Sequence, residues 1–269
     1  MSVLVIGAYG NVGSHVVGGL RSAGIPVRGT SRAPGTSELP DAVEMVSLDL
    51  DKPETLPAAL DGVDKVFLYA SPDRIAEFVS AARKAGVEHI VLLSSCAVVD
   101  PAARHSRAAQ MHSVVEEALQ ESAIAWTFLR PTTFSATKLR WVPAIRSREV
   151  LRVPFLQMKT ASIHERDIAD VAVHALTGTG HEGQGYWLTG PQAMTQQEHA
   201  EAIAAAIGRP VDVVDMAPED LEKLPAPYVR TQSELMKAPC VVTSTVEEIT
   251  GIPPRSFQQW TEDHIEEFN

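Results

Sequence analysis

Close to its start the chain reads Val3-Leu4-Val5-Ile6-Gly7-Ala8-Tyr9-Gly10-Asn11-Val12-Gly13. Four consecutive apolar residues have the pattern of a strand buried on both faces. Three glycines spaced G-x-x-G-x-x-G follow, and a helical stretch over 14–23 then closes at Gly24. A dinucleotide-binding turn requires this order: one glycine for the tight turn, one where backbone nears pyrophosphate, one where helix meets sheet. The helix N-terminus supplies free N–H groups and a partial positive charge to the phosphates. A plain glycine turn in an α/β fold is the alternative.

The same rhythm continues outward. Strands are expected over 27–30, 43–48, 63–69, 89–93 and 126–129, the last stopped by Pro131. Ile75, Phe78, Val79 and Ala82 mark one amphipathic helix ended by Gly86, and Met111, Val114, Val115, Ala118 and Leu119 mark another. Strands alternating with helices make an α/β chain, here a Rossmann-like, doubly wound parallel sheet over 1–133. From Thr132 the rhythm changes. Pro143, Pro154 and the Arg-rich stretch 146–152 read as loops and short elements, with Pro225 and Pro227 forming a prolyl patch. A helix is expected over 167–176, a strand over 186–189, a helix over 195–207 with a Thr195/Glu198 capping box, and a late helix carrying Phe257 and Trp260. Residues 134–269 are thus mostly a smaller C-terminal lid, with the part around 160–190 returning to the first domain.

Composition narrows the function. The chain has 269 residues, 45% hydrophobic and 21% charged, which fits a globular fold of one large or two intimate domains. Its formal net charge of −11 repels phosphate backbones, so no nucleic-acid partner is expected. Two cysteines, Cys96 and Cys240, are too few for a disulfide framework. No apolar run is long enough for a membrane helix, and the apolar start lacks a basic leader, so a soluble cytoplasmic protein is expected.

Strand two ends in Thr30-Ser31-Arg32, where an NAD site carries an acid for the ribose hydroxyls. Arg32 can clamp a 2′-phosphate and Ser31 can donate to it, which favours NADPH/NADP+; a solvated surface arginine is the alternative. Gly7, Tyr9, Gly10, Asn11, Val12 and Gly13 would form the phosphate side of that site. Asp49 and Leu50, after strand three, would flank the adenine, unless Asp49 merely caps the next helix.

The glycine loop, Asp49, Ser94-Ser95, Leu129-Arg130-Pro131, Asp167-Ile168-Ala169, Leu188-Thr189-Gly190-Pro191 and the run from Gly251 to Phe257 occur in an order that resembles atypical short-chain dehydrogenase/reductases, closest to the NmrA-like branch of quinone reductases and ergot-type biosynthetic reductases. The resemblance covers nearly the whole chain. It implies a cleft between a Rossmann-like domain and a substrate-binding lid, with Tyr69, Ala70 and Ser71 along the nicotinamide half of the cofactor and Pro131, Thr133 and Phe134 at the nicotinamide ring. The ordinary family reductase adds a Ser, and a Tyr and Lys four apart on the next helix. Here the helix positions hold Ala108 and His112, and Cys96 stands at the usual Ser position with Ser95 just before it.

The standard proton donor is therefore missing. His112 can relay a proton, or be a helix-face histidine paired with Glu116. Ser95, at a strand's carboxyl end, can orient a carbonyl or only tie down its loop. Cys96 reads as a packed small residue. No metal-ligand set is recognisable; the run from His164 to Asp167 reads as a helix cap. Large lid residues such as Phe134, Trp141, Phe155, Met158, Tyr228 and Met236 would suit a flat aromatic substrate if several line the cleft. The expectation is an NADPH-dependent reductase of a ketone or quinone on a bulky aromatic molecule, such as a polyketide-type product of antibiotic biosynthesis. Ser95 and His112 would be its catalytic candidates, with substrate assistance. The rival is an inactive NADP(H)-binding redox sensor acting through a protein partner. An isomerase or ether reductase ranks last, for want of a helix lysine.

Overall fold

A computed structural model describes residues 1–32 and 43–269. The first strand, β1 (Val3–Ile6), is closed to solvent on both faces, and its alternation decides the layering. Val3 and Val5 enter one core, Leu4 and Ile6 the other. In chain order come α1 (Gly13–Ser22), β2 (Val27–Ser31), β3 (Glu44–Ser47), α2 (Leu56–Leu60), β4 (Lys65–Tyr69), α3 (Ile75–Ala85), β5 (His89–Leu93), α4 (Arg107–Gln120) and β6 (Ala125–Pro131). There follow α5 (Val142–Arg146), β7 (Leu151–Val153), β8 (Lys159–Thr160), α6 (Glu165–Thr177), β9 (Gln184–Leu188), β10 (Met194–Thr195), α7 (Gln196–Ile207) and β11 (Val213–Asp215). The chain ends with α8 (Pro218–Leu221), α9 (Ala226–Lys237), α10 (Thr245–Thr250), α11 (Phe257–Asp263) and α12 (Ile265–Phe268).

Seven strands form one parallel sheet in the order β3-β2-β1-β4-β5-β6-β9. The order reverses between β1 and β4, which opens a crevice at their carboxyl ends. Helices α1 and α6 cover one face through Val16, Leu20, Ile168 and Ala172. Helices α2, α3 and α4 cover the other through Leu56, Phe78, Val115 and Leu119. Each such side chain contributes about 2 kcal/mol by leaving water. A third core, around Trp141, Ile145, Ile203, Phe257, Trp260 and Phe268, belongs to the C-terminal half.

The sheet strands lie within two residues of their expected ends, and Pro131 closes β6 as its last residue. Pro143 and the Pro225/Pro227 pair stand at helix starts, where a missing N–H costs nothing; α5 is one of the short elements expected near Pro143, whereas α9 is a correction, a twelve-residue helix where a prolyl patch was read. The capping box is present: Thr195 Oγ1 accepts from Glu198 N at 3.0 Å, and Glu198 Oε2 accepts from Thr195 N at 2.7 Å.

The start of α6 fastens the two halves together. His164 Nδ1 caps the helix by accepting from Arg166 N. Buried Glu165 accepts from Trp260 Nε1 at 3.1 Å and faces His264 Nε2 at 3.0 Å. Asp167 accepts from the backbone N and the guanidinium of Arg255, which also reaches Asp170. No helix among the described residues is long and apolar enough to cross a membrane.

Candidate active site

The glycine loop is closed tightly enough to dictate its sequence. Gly7 has φ of 78°, the left-handed region in which side chains are strained. A Cβ on Gly13 would sit 2.2 Å from the Gly7 carbonyl oxygen, so no other residue fits there. Val12 precedes α1 with no side-chain cap; Ser14 N donates to the Gly10 carbonyl at 3.0 Å, and Gly10–Gly13 border a groove of about 530 Å³ at this helix start. Tyr9, Gly10, Asn11, Ser31, Arg32, Tyr69 and Phe134 line that groove along with Gly7, Val12 and Gly13. These residues fit a nicotinamide dinucleotide, whose pyrophosphate needs an uncapped helix start approached by bare backbone. Tyr69 lies over Gly7, and burial raises its phenol above the ordinary value while Arg32 opposes the shift.

Other expected contacts lie elsewhere. Leu50 and Leu48 are both packed in the core, and of the two only Leu48 also borders the groove. Asp49 turns its carboxylate back on its own chain, accepting from Asp51 N at 3.2 Å and facing Lys52 at 3.8 Å. Ala70 packs against the core, and neither it nor Ser71 lines the groove. Pro131 and Thr133 face a second depression.

That depression is a cavity of about 600 Å³ adjoining the groove at the carboxyl ends of β5 and β6. Leu93 and Phe134 stand on the groove side, Ser95 and the Pro131–Thr133 backbone on the cavity side. Met158, Trp187, Pro225 and Leu235 make much of its wall apolar. Ser95 Oγ accepts from Ala97 N at 3.2 Å and so ties down its loop while lining the cavity. Cys96 is held up to about 12 by burial, with Asp100 adding to it, so its thiol stays protonated.

His112 does not line this cavity; Ala108, one helical turn before it, does. Glu116 does not hydrogen-bond to His112. Its Oε1 accepts from Ser94 Oγ at 2.6 Å and Arg130 Nε at 2.9 Å, and its Oε2 from Arg130 Nη2 at 2.6 Å. His112 Nδ1 is buried without a partner, and burial lowers its pKa with Glu116 opposing.

Among the large lid residues, Met158 and Tyr228 line the cavity, Phe134 the groove, and Met236 is exposed. The structure adds helix α9, whose Tyr228, Thr231, Gln232 and Leu235 all face the cavity. Their spacing of i, i+3, i+4 and i+7 is the helical signal that the flanking prolines obscured.

A family described as NAD(P)H-binding matches residues 7–179, a span that begins at the glycine loop and includes α6. The chain belongs to that family. Within it, the NmrA-like atypical short-chain reductases are its relatives, and it is an NAD(P)H-dependent reductase. It is 38% identical to a (4-alkanoyl-5-oxo-2,5-dihydrofuran-3-yl)methyl phosphate reductase of Streptomyces griseus and 36% identical to an NAD(P)H azoreductase of Xenophilus azovorans, over 99% of both chains in each case. A crystal structure of an NADPH-dependent quinone oxidoreductase from Escherichia coli matches with a TM-score of 0.80 at 25% identity, covering 99% of this chain and all of that one.

Proposed function

We propose that this reductase uses NADPH to reduce a conjugated carbonyl, a ketone or quinone, on a bulky aromatic molecule. The observation that carries the reading is the open, largely apolar cavity beside the groove, with Ser95 and Pro131–Thr133 on the cavity wall and Leu93 and Phe134, close to them in the chain, on the groove wall. A sensor needs no such space, which weighs against the rival of a regulator acting through a protein partner. Ser31 and Arg32 on the groove wall support NADPH, since a guanidinium matches a 2′-phosphate in shape and charge. Free thiols on Cys96 and Cys240 suit a reducing compartment, and we place the reaction in the cytoplasm.

A bound reduced nicotinamide supplies the hydride. The chain's own task is to hold the acceptor against the Pro131–Phe134 segment, keep water out and offer a proton. The helix positions of the ordinary Tyr and Lys hold Ala108 and His112, so the acceptor has to delocalise much of the charge it gains. The substrates named for the relatives fit that demand: an azo compound, a quinone and an alkanoyl furanone are all conjugated acceptors. A neighbouring phenol on the substrate would polarise the carbonyl in the same way. Hydroxyls of Ser95 and Tyr228 on the cavity wall are the protein's proton sources, while His112, one turn behind Ala108, stands off that wall.

The test is consumption of NADPH, followed by its near-ultraviolet absorbance, against a panel of aromatic quinones and ketones. Turnover with several quinones is expected, with NADH used poorly. Arg32→Ala should raise the KM for NADPH about tenfold or more and leave that for NADH unchanged. No turnover across the panel would overturn the reading.

A further inference from the structure

Behind the first cavity lies a second, of about 730 Å³. The two share Thr133, Met158, Thr160, Pro225, Tyr228 and Gln232, so a molecule seated in one can reach the other. The charged residues of the second wall are Lys138, Arg140 and Arg152, with no carboxylate among its lining residues. In a chain of net charge −11 that is a pronounced local reversal.

Lys138 is the most telling of the three. Its side chain is fully buried, yet no carboxylate pairs with it among the described residues; Nζ donates to Gln196 Oε1 at 2.6 Å and stands 4.7 Å from the centre of the Trp141 ring. Neither Arg140 nor Arg152 has an ion pair among the described residues, and Asp220, whose carboxylate feels Arg152, is already held by Lys223 at 2.7 Å. Burying an ammonium without a counter-charge costs stability, so the arrangement is explained by a charge that arrives from outside. Burial, with Arg140 adding to it, lowers Lys138 to about 7, and an anion nearby would restore its proton.

We propose that the second cavity is an anion subsite, taking a phosphate, sulfonate or carboxylate substituent of the aromatic molecule whose body lies in the first cavity. The proposal rests on the first cavity being the substrate site. Substrate specificity then has two parts: an apolar chamber that accepts a range of ring systems, and a cationic one that selects those carrying a charged arm of suitable reach.

Calorimetric titration tests this without turnover. The protein is saturated with NADP+, which fills the phosphate sites of the glycine loop, and titrated with 1-naphthol, 1-naphthyl phosphate and inorganic phosphate. Naphthyl phosphate should bind about tenfold or more tightly than naphthol. Arg152→Ala and Arg140→Ala, at exposed positions that leave the fold intact, should each remove a several-fold part of that gain and leave naphthol binding unchanged. Lys138→Met should act in the same direction. Naphthol and its phosphate binding equally, or a gain that survives both arginine variants, would overturn the subsite. Inorganic phosphate binding as tightly as naphthyl phosphate without displacing naphthol would overturn the tethered arm in favour of a free ion. Failure of naphthol itself to bind would overturn the substrate reading of the first cavity, and the subsite with it.

Discussion

The two halves of this reductase solve the problem of building a site in opposite ways. In the sheet half, the cofactor groove is made of short runs that follow strands: the glycine loop after β1, Ser31 and Arg32 at the end of β2, Tyr69 at the end of β4. Beneath them lie two apolar cores, one on each face of the sheet. In the C-terminal half, the cavity walls come from segments as distant as Lys138, Arg152, Gln196 and Tyr228, and polar groups are buried behind them. The groove we assign to the cofactor rests on local geometry that admits few substitutions, whereas the cavity we assign to the acceptor is assembled from pieces far apart in the chain.

The comparison breaks most readily at the glycine loop. Gly13→Ala should abolish dinucleotide binding, with affinity down at least about a hundredfold and a stability loss of about 3 kcal/mol, because the new methyl meets a backbone carbonyl that cannot yield. Cofactor fluorescence titration beside thermal unfolding would measure both. Retention of tight binding would mean that the loop is looser than described.

The junction is the next test. Asp167→Ala removes the carboxylate that holds the Arg255 backbone and guanidinium, at a cost of about 3 kcal/mol in urea unfolding. The loss should be accompanied by easier proteolysis around 250–269, since that segment is fastened at this point.

Much of this contrast was legible in the sequence, for physical reasons. Continuous apolar runs, glycine spacing and the three-to-four-residue repeat of helices are local, so β1, the groove turn and the helices α1, α3 and α4 could be read from runs of about ten residues. The turn after β3 was less legible, because a strand's end fixes neither the next turn nor which side chain it carries inward; Leu48 and Leu50 both pack in the core, and of the two only Leu48 also borders the groove. Pro225 and Pro227 misled because proline breaks a helix interior but begins a helix well, and only the structure separates the two cases. Lys138 gave no signal at all. Its burial follows from Trp141, Gln196 and the C-terminal core closing around it, which no local pattern encodes.

Acid sensitivity tests both halves together, with a smaller effect. His89, at the start of β5, and His199, on α7, are buried and held low, at about 4 and about 3, chiefly by desolvation. Each takes up a proton near 6.5 when unfolded but not when folded, so stability falls as pH drops from 6.5 toward 4. Urea midpoints at pH 7 and pH 5 should differ by about 1–2 kcal/mol per histidine, and His199→Gln should lessen the slope. An unchanged midpoint would show that these rings do not titrate as buried groups.

The smallest effect separates function from stability. Lys138→Met should leave stability unchanged or raise it by about 1 kcal/mol, because it removes a buried, uncompensated charge. The gain should be larger at pH 6 than at pH 10. The ammonium is depressed in the folded protein and not in the unfolded one, so its cost is full below about 7 and fades as pH rises toward 10.5. A large destabilisation would make Lys138 a structural residue.

The groove and the first cavity have no lining residue in common and abut where Phe134 on the groove wall follows Pro131–Thr133 on the cavity wall. Such a joint makes the enzyme modular in inheritance. Drift in α9 and the segments around it can change the acceptor while the glycine loop stays as it is, and a lineage can acquire new substrates without relearning its cofactor. Exchanging residues 216–243 between relatives should accordingly transplant acceptor preference and leave NADPH affinity where it was.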